Sequence, residues 1–341
     1  MEQKCDDEKK IQVIKKALAL LEKNQEWRER YKGYTSKLCK KEIGHFPFNK
    51  PNGLSLYSSV SKDTYDLRFD GQNVGEIKSS NNGVYLHILS DYIRSYFKTE
   101  MPSSKKWIDW KCAEAISFRK FFRDKAQEAT KIKLRFPEHR VENYLLKEFS
   151  KSLEAEGKKL CYIQPIKLHR CFFQFPTPLK ASDHNPTYSA HKGGGIDILA
   201  RVRTHNWEPR ICVMEVKDGN KQGESQSVAM EQALIYAVFL SKLLRSESGQ
   251  QWWDFLRNNN KDSKVIPSHL DIDVVTIMPQ GNTKEFSDKF IDVPELYTTF
   301  HCHSLYYNDE DFKNGEFTFS GTYPNQLKTY PNQLKKYKRK A

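Results

Sequence analysis

The sequence lacks the features that mark several classes of protein. It has no Cys-x-x-Cys pair, and its seven cysteines are scattered along the chain. The odd count and the scattered spacing argue against a disulfide framework, and the absence of Cys-x-x-Cys argues against a zinc knuckle. Together they favour a reducing compartment. The longest apolar run is ALIYAVFL at Ala233–Leu240, which is far too short to span a bilayer. The charged segment MEQKCDDEKK does not resemble a signal peptide, so we expect a cytoplasmic protein with no membrane partner.

Acidic residues are scarce relative to basic ones. The 341 residues include 56 Lys and Arg against 43 Asp and Glu, which gives a formal net charge of +13. This excess favours a polyanionic partner, most often nucleic acid, over an acidic membrane surface, although a basic surface can also serve solubility alone. The length is sufficient for a sizeable core and allows two domains.

Hydrophobic periodicity predicts four segments. They are an N-terminal helix at residues 1–40, a β-meander with helices at 41–135, an α/β unit at 136–320 and a flexible basic tail at 321–341. In the second segment, period-2 alternation and the Asp70-Gly71 turn signal predict the meander. Helices are expected over 90–98 and 105–131. This segment is either a nucleic-acid-binding module or a packing and oligomerisation domain. The tail carries TYPNQLK twice, which is too short a repeat for a solenoid.

In the third segment, stretches with the hydrophobic period of a helix alternate with stretches typical of strands. The pattern predicts a helix that begins at Pro137 and is ended by Gly157. Three strands at about 160–175, 195–202 and 211–217, a long helix at about 225–245 and a last strand at about 270–279 follow. A strand, helix and strand in succession imply a crossover, so we expect an α/β core with a mixed sheet flanked by helices, α+β overall.

Charged residues interrupt two of these apolar strands. Asp197 lies within GIDILA, and Glu215 and Lys217 follow ICVM. Alternation puts Glu215 and Lys217 on one face, about 7 Å apart. Antiparallel pairing through RTHNWEPR would bring Asp197 beside Glu215. Two carboxylates at the rim of a sheet suit Mg²⁺ or Mn²⁺, whereas a surface ion pair of Glu215 and Lys217 is the simpler alternative.

The Asp, a gap and then Glu-x-Lys resemble the catalytic hairpin of the PD-(D/E)XK nuclease superfamily over about Phe136–Pro279. Ile196 stands where the motif's name has proline. The resemblance implies a restriction-endonuclease-like αβββαβ core and a Mg²⁺-dependent deoxyribonuclease, Mn²⁺ being an alternative cofactor. Asp197, Glu215 and the carbonyl of Val216 would hold the metal. Lys217 would orient water and stabilise the transition-state charge.

Two helices add candidates to this site. Gln232 and Tyr236 lie one turn apart, and Gln-x-x-x-Tyr resembles the extra motif of the RecB-like branch, which includes lambda-type exonucleases. A core glutamine bonded to backbone is the alternative for Gln232. Glu138 and Glu142 border the first helix's apolar face, and the resemblance implies that Glu142 reaches the metal. An ordinary solvated glutamate is the alternative.

Lys192, Lys221, Ser225 and Tyr236 are the expected nucleic-acid contacts, and Gly193–Gly195 could let the DNA backbone approach closely. Three functions stay open. They are a nuclease acting on DNA, a non-catalytic nucleic-acid-binding protein of the same fold, and a nuclease subunit of a restriction or defence system. A homodimer and a partner subunit are both open.

A second acidic pattern, Asp66 and Asp70 followed by Glu76 and Lys78, lacks a long apolar helix after it. Its alternation suits an exposed sheet, so we expect it to be non-catalytic. His301 and His303 have the wrong spacing for a zinc pair and are expected at a strand end.

Overall fold

The computed structural model describes residues 2–40, 53–98, 106–126, 137–151, 163–168, 171–181, 185–191, 193–203, 209–218, 225–257, 265–280, 289–313 and 319–321. Within these ranges the chain is a mixed α+β fold. Its helices are α1 (Glu2–Lys23), α2 (Glu26–Lys40), α3 (Ser90–Phe97), α4 (Ala113–Lys125), α5 (Pro137–Phe149), α6 (Gln226–Leu244), α7 (Gly249–Arg257) and α8 (Asp309–Lys313).

The strands are mostly short before residue 198 and long after it. In chain order they are β1 (Leu54–Ser58), β2 (Tyr65–Phe69), β3 (Gln72–Ser80), β4 (Gly83–Ile88), β5 (Ile108–Asp109), β6 (Ile163–Pro165), β7 (Lys167–Leu168), β8 (Cys171–Phe173), β9 (Phe175–Pro176), β10 (Leu179–Lys180), β11 (Thr187–Tyr188), β12 (Gly195–Ile196), β13 (Ile198–Arg203), β14 (Pro209–Val216), β15 (Leu270–Pro279), β16 (Lys289–Val293), β17 (Thr298–Tyr307) and β18 (Phe319–Gly321).

The first sheet has the strand order β5-β4-β3-β2-β1-β8-β7. The strands from β1 to β5 form the expected antiparallel meander. Asp70 and Gly71 both have positive φ, +49° and +79°, as a two-residue type I′ hairpin turn requires. Strand β8 then pairs in parallel with β1, so this sheet takes strands from both sides of the predicted boundary at residue 135.

The second sheet has the order β16-β17-β15-β14-β13-β6, with β18 also paired to β17. Strands β6, β13 and β14 are antiparallel neighbours, and β15 and β17 run parallel to β14. Helix α6 packs on the face that carries Leu199 and Val213. Helix α5 packs on the opposite face, with Ile198 and Met214. The predicted strands around residues 198–203, 211–216 and 270–279 therefore lie in one sheet between two helices. The strand predicted over 160–175 is instead divided into β6, β7, β8 and β9, of which only β6 joins this sheet, and the strand predicted over 195–202 is divided into β12 and β13.

Helix α6 lies at the centre of the largest core. The rings of Trp27 and Tyr31 on α2 pack edge-on against Phe239, with centroids 5.6 and 4.8 Å away. The N-terminal helices thus share the core of the later segments, and residue 40 does not separate two cores. By length and hydropathy α6 could cross a membrane, but 83% of that stretch is buried inside the protein, as in a core helix of a soluble protein.

Two predicted helices have different bounds. The single helix expected over 1–40 is two helices, because the side chains of Asn24 and Gln25 bond the carbonyls of Leu20 and Glu22 where α1 ends. The helix expected over 105–131 is shortened to α4, since β5 pairs with β4 instead.

Two other predictions differ from the structure. Helix α5 ends at Phe149 rather than near Gly157, which lies outside the described residues, as does the repeat-containing tail. His301 and His303 lie within β17 and not at its end. The long helix predicted over 225–245 and the strand predicted over 270–279 are confirmed.

Candidate active site

Asp197 and Glu215 meet at the junction of two antiparallel strands. The register pairs Ile198 with Met214, so the preceding Asp197 comes opposite Glu215. Alternation places Glu215 on the face that α6 covers, whereas Asp197 lies in the bend between β12 and β13. The Oδ2 atom of Asp197 accepts a hydrogen bond from the backbone N–H of Val216 at 2.9 Å. This bond fixes one carboxylate against the end of the neighbouring strand.

Lys217 forms an ion pair with Glu215 that is buried. The Lys217 Nζ donates to Glu215 Oε1 at 2.9 Å, and the two side chains are only 15% and 8% exposed. The surface ion pair considered as the alternative is therefore not what is observed. The other oxygen of Glu215, Oε2, is buried and has no hydrogen-bond partner among the described residues. A buried carboxylate oxygen without a partner is costly, and such atoms call for a functional explanation.

The electrostatics of Glu215 are unfavourable to its charged form. Burial raises the pKa of Glu215 well above its ordinary value, the charge of Asp197 raises it further, and Lys217 opposes the rise. Without another cation, the pair of carboxylates would share a proton or repel each other. A divalent cation would remove this repulsion.

Helix α5 brings two glutamates into the field of the site. Burial raises the pKa of Glu142 to about 8, Arg68 opposes the rise, and the charges of Asp197 and Glu138 add to it. Glu138 also raises the pKa of Glu215. The Glu142 side chain is buried, so the alternative of an ordinary solvated glutamate does not apply. Glu142 therefore interacts with Asp197, and Glu138 interacts with Glu215.

Helix α6 contributes Gln232 and Tyr236, which are both buried. Burial raises the pKa of Tyr236, and the nearby charges of Glu215 and Asp197 raise it further. This hydroxyl is therefore close to the acidic pair and stays protonated. Gln232 lies one turn earlier. Because α6 is covered by α1 and α2 as well as by the sheet, burial of Gln232 does not by itself aim the amide at the site.

The glycines before Asp197 pack against their own chain. A Cβ at Gly193 would lie 1.9 Å from the Thr177 carbonyl oxygen, and one at Gly194 would lie 2.6 Å from the Tyr236 hydroxyl. Gly194 also donates its N–H to the carbonyl of Leu179 at 2.9 Å. The close approach that was expected for a DNA backbone is thus made by residues 177–179. These contacts hold the Asp197 strand in place.

The predicted nucleic-acid contacts are described only in part. Ser225 precedes α6 and its hydroxyl accepts the N–H of Val228 at 3.4 Å, so its side chain caps the helix. Tyr236 is placed as above. Lys192 and Lys221 lie outside the described residues. Val216 is fully buried, and its N–H is the group that bonds Asp197.

The second acidic pattern forms a set of ion pairs. Asp66 lies opposite Glu76 on the hairpin, and Lys62 Nζ lies 2.8 Å from Asp66 and 3.6 Å from Glu76. Lys78 lies over the ring of Trp107 at 4.6 Å. Strand β2 is buried along its whole length, so the exposed sheet expected here was wrong. Each carboxylate has a protein cation, which leaves no need for a metal.

Arg68 is a residue that sequence reasoning missed. It lies on β2, 74 residues before Glu142 of α5, yet its Nη1 is 3.8 Å from the Glu142 carboxylate. Its guanidinium is also 3.7 Å from Asp66 and lies 4.1 Å above the centre of the Tyr57 ring. A basic residue in an alternating strand gives no signal of such a contact, because the partner comes from a helix far away in the sequence.

Among the described residues no group of three or more His, Cys, Asp and Glu side chains has the arrangement of a metal site. The donors that fit a hard cation here are Asp197 and Glu215, and the free oxygen of Glu215 favours such an ion. No family model, curated protein or solved structure matches the chain.

Proposed function

We propose that the protein is a metal-dependent nuclease that hydrolyses phosphodiester bonds of DNA, with its site at Asp197, Glu215 and Lys217. The observation that carries the proposal is the buried pair of carboxylates, one of which has an oxygen without a protein partner. Strands β6, β13, β14 and β15 lie side by side in one sheet, with α5 on one face and α6 on the other. This arrangement supports a restriction-endonuclease-like core. The net charge of +13 supports a polyanionic substrate, and the scattered cysteines support a reducing, cytoplasmic compartment.

Asp197 and Glu215 would hold Mg²⁺ or Mn²⁺, helped by the carbonyl of Val216. When bound, the ion supplies charge neutralisation and an activated water. Lys217 places its ammonium beside Glu215, where it orients the water and stabilises negative charge on the phosphate oxygens. It stays protonated because it faces carboxylates. Tyr236, held protonated by burial, is a hydrogen-bond donor for a phosphate.

A non-catalytic nucleic-acid-binding protein is the second candidate. Two observations favour it, namely the absence of a three-residue metal group among the described residues and the engagement of one Glu215 oxygen by Lys217. A nuclease subunit that needs a partner or a second copy would show the same features in isolation.

One cleavage panel separates the nuclease from the non-catalytic nucleic-acid-binding protein. Supercoiled, linear and single-stranded DNA, together with RNA, are incubated with the protein in Mg²⁺, Mn²⁺ or EDTA. We expect cleavage of DNA that needs the metal and is lost in Asp197→Asn and Glu215→Gln. Glu76→Gln is the matched control, because it removes a carboxylate of the second acidic pattern, and it should cleave normally. Cleavage that survives both site variants, or that Glu76→Gln abolishes, would refute the assignment.

A further inference from the structure

The first sheet reaches the candidate site through one side chain. Arg68 on β2 is buried, and its Nη1 lies 3.8 Å from Glu142 Oε1. Glu142 is in turn close enough to Asp197 for the two charges to repel. Arg68 is thus linked to the acidic pair through one intervening carboxylate. A cation in this position acts on the site without any contact with the substrate.

The surroundings of Arg68 restrict its guanidinium to this place. The group lies over the Tyr57 ring at 4.1 Å, and the Tyr57 hydroxyl donates to Asn143 Oδ1 on α5 at 3.3 Å. Asp66 attracts the other side of the guanidinium at 3.7 Å. A planar cation stacked on an aromatic ring and held between two carboxylates loses little further freedom, so it can fix the orientation of Glu142.

The hairpin that carries Arg68 is itself locked onto α5. Arg140 donates to Asp70 at the hairpin turn. A Cβ at Gly71 would lie 1.8 Å from the carbonyl oxygen of His139, so only glycine allows the turn to pack this closely. The hairpin therefore delivers Arg68 to α5 in one fixed position.

We propose that Arg68 is a positioning residue that holds Glu142 beside the Asp197 carboxylate. This inference rests on the proposed nuclease function. It assigns the β2–β3 hairpin of the first sheet a part in catalysis and not only in packing or DNA binding. Residues that orient a metal-site carboxylate from behind commonly change activity by about 10- to 100-fold when removed.

The test is a double-mutant cycle on DNA cleavage with Arg68→Gln, Glu142→Gln and the combined variant. We expect Arg68→Gln to lower kcat by about 10- to 100-fold and to leave KM for DNA unchanged, since Arg68 is buried. In the Glu142→Gln background the same change should have little further effect, because the residue acts through Glu142. Arg68→Lys keeps the charge without the planar fork, so it should recover part of the lost kcat.

Arg210→Gln is the matched control. It removes another partly buried arginine–carboxylate pair, that of Arg210 with Asp273 at 3.4 Å, which lies at the opposite end of β14 from Glu215. It should weaken folding while kcat stays near that of the wild type. Undiminished kcat in Arg68→Gln would overturn the inference and leave the nuclease function standing. So would effects of the two changes that multiply. A wild-type protein that cleaves nothing in the panel would overturn both.

Discussion

Glu142 should make the metal-free protein less stable as the pH rises, and Glu142→Gln should remove that effect. Burial raises the pKa of Glu142 from 4.5 to about 8, so between these values the folded protein keeps a proton that the unfolded chain has released. A carboxyl of this kind stabilises the fold at low pH. Its contribution is lost as the pH rises towards the folded-state pKa.

The size of the effect follows from the two pKa values. Each pH unit over which the folded and unfolded states differ by one proton corresponds to about 1.4 kcal/mol. Between pH 5 and pH 8 the wild type should therefore lose on the order of 3 kcal/mol of unfolding free energy at this position. Glu142→Gln cannot titrate, so its stability should fall less steeply over the same interval.

The assay is urea unfolding in EDTA at several pH values, with the free energy extrapolated to water at each. The difference between the two slopes isolates Glu142 from the other titrating groups. Val141→Ala serves as the control, because it removes buried methyl groups next to Glu142. It should cost about 2 kcal/mol at every pH without changing the slope. Parallel slopes for wild type and Glu142→Gln would refute the reasoning.

Two other outcomes are expected. Gly71→Ala should lower the unfolding free energy by more than about 1 kcal/mol, because Gly71 has a φ of +79° and abuts the His139 carbonyl. Gly33→Ala in α2, where nothing lies within 4 Å, should not, and equal losses in the two denaturation curves would contradict the packing argument. Mn²⁺ should raise the melting temperature more at pH 8 than at pH 5, since carboxylates bind metal when deprotonated. An equal rise in Glu215→Gln would argue against a metal at that residue.

The sequence was most informative where hydrophobic periodicity is strong and the contacting residues are close together in the chain. Helix α6 and strand β15 were predicted closely, because a long apolar helix and a buried strand ended by proline have strong local signals. The meeting of Asp197 with Glu215 was predictable too, since two strands joined by a short loop usually pair antiparallel. Local pattern could therefore identify the two carboxylates but not the environment that burial creates around them.

The contacts that the sequence did not predict join residues far apart in the chain. Nothing in β2 indicates that Arg68 lies beside α5, because its partner Glu142 is on a helix that packs against the second sheet. The break at Asn24 was missed for another reason, since both helices keep apolar spacing across it. For Gln232 the difficulty was that a helix buried on several sides gives no single inward stripe, so burial alone cannot choose which polar residue faces the site.

The parallel pairing of β1 with β8 has a consequence for the architecture of the chain. Tyr57 and Ser58 pair with Phe172 and Phe173, so strands that follow α5 in the sequence complete the first sheet. A fragment that stops near residue 135 would leave β1 as an open edge strand, and exposed edges of this kind promote aggregation. The meander can therefore be expressed without an open edge at β1 only together with β8, and an insertion between the two segments would have to keep the pairing of β1 with β8.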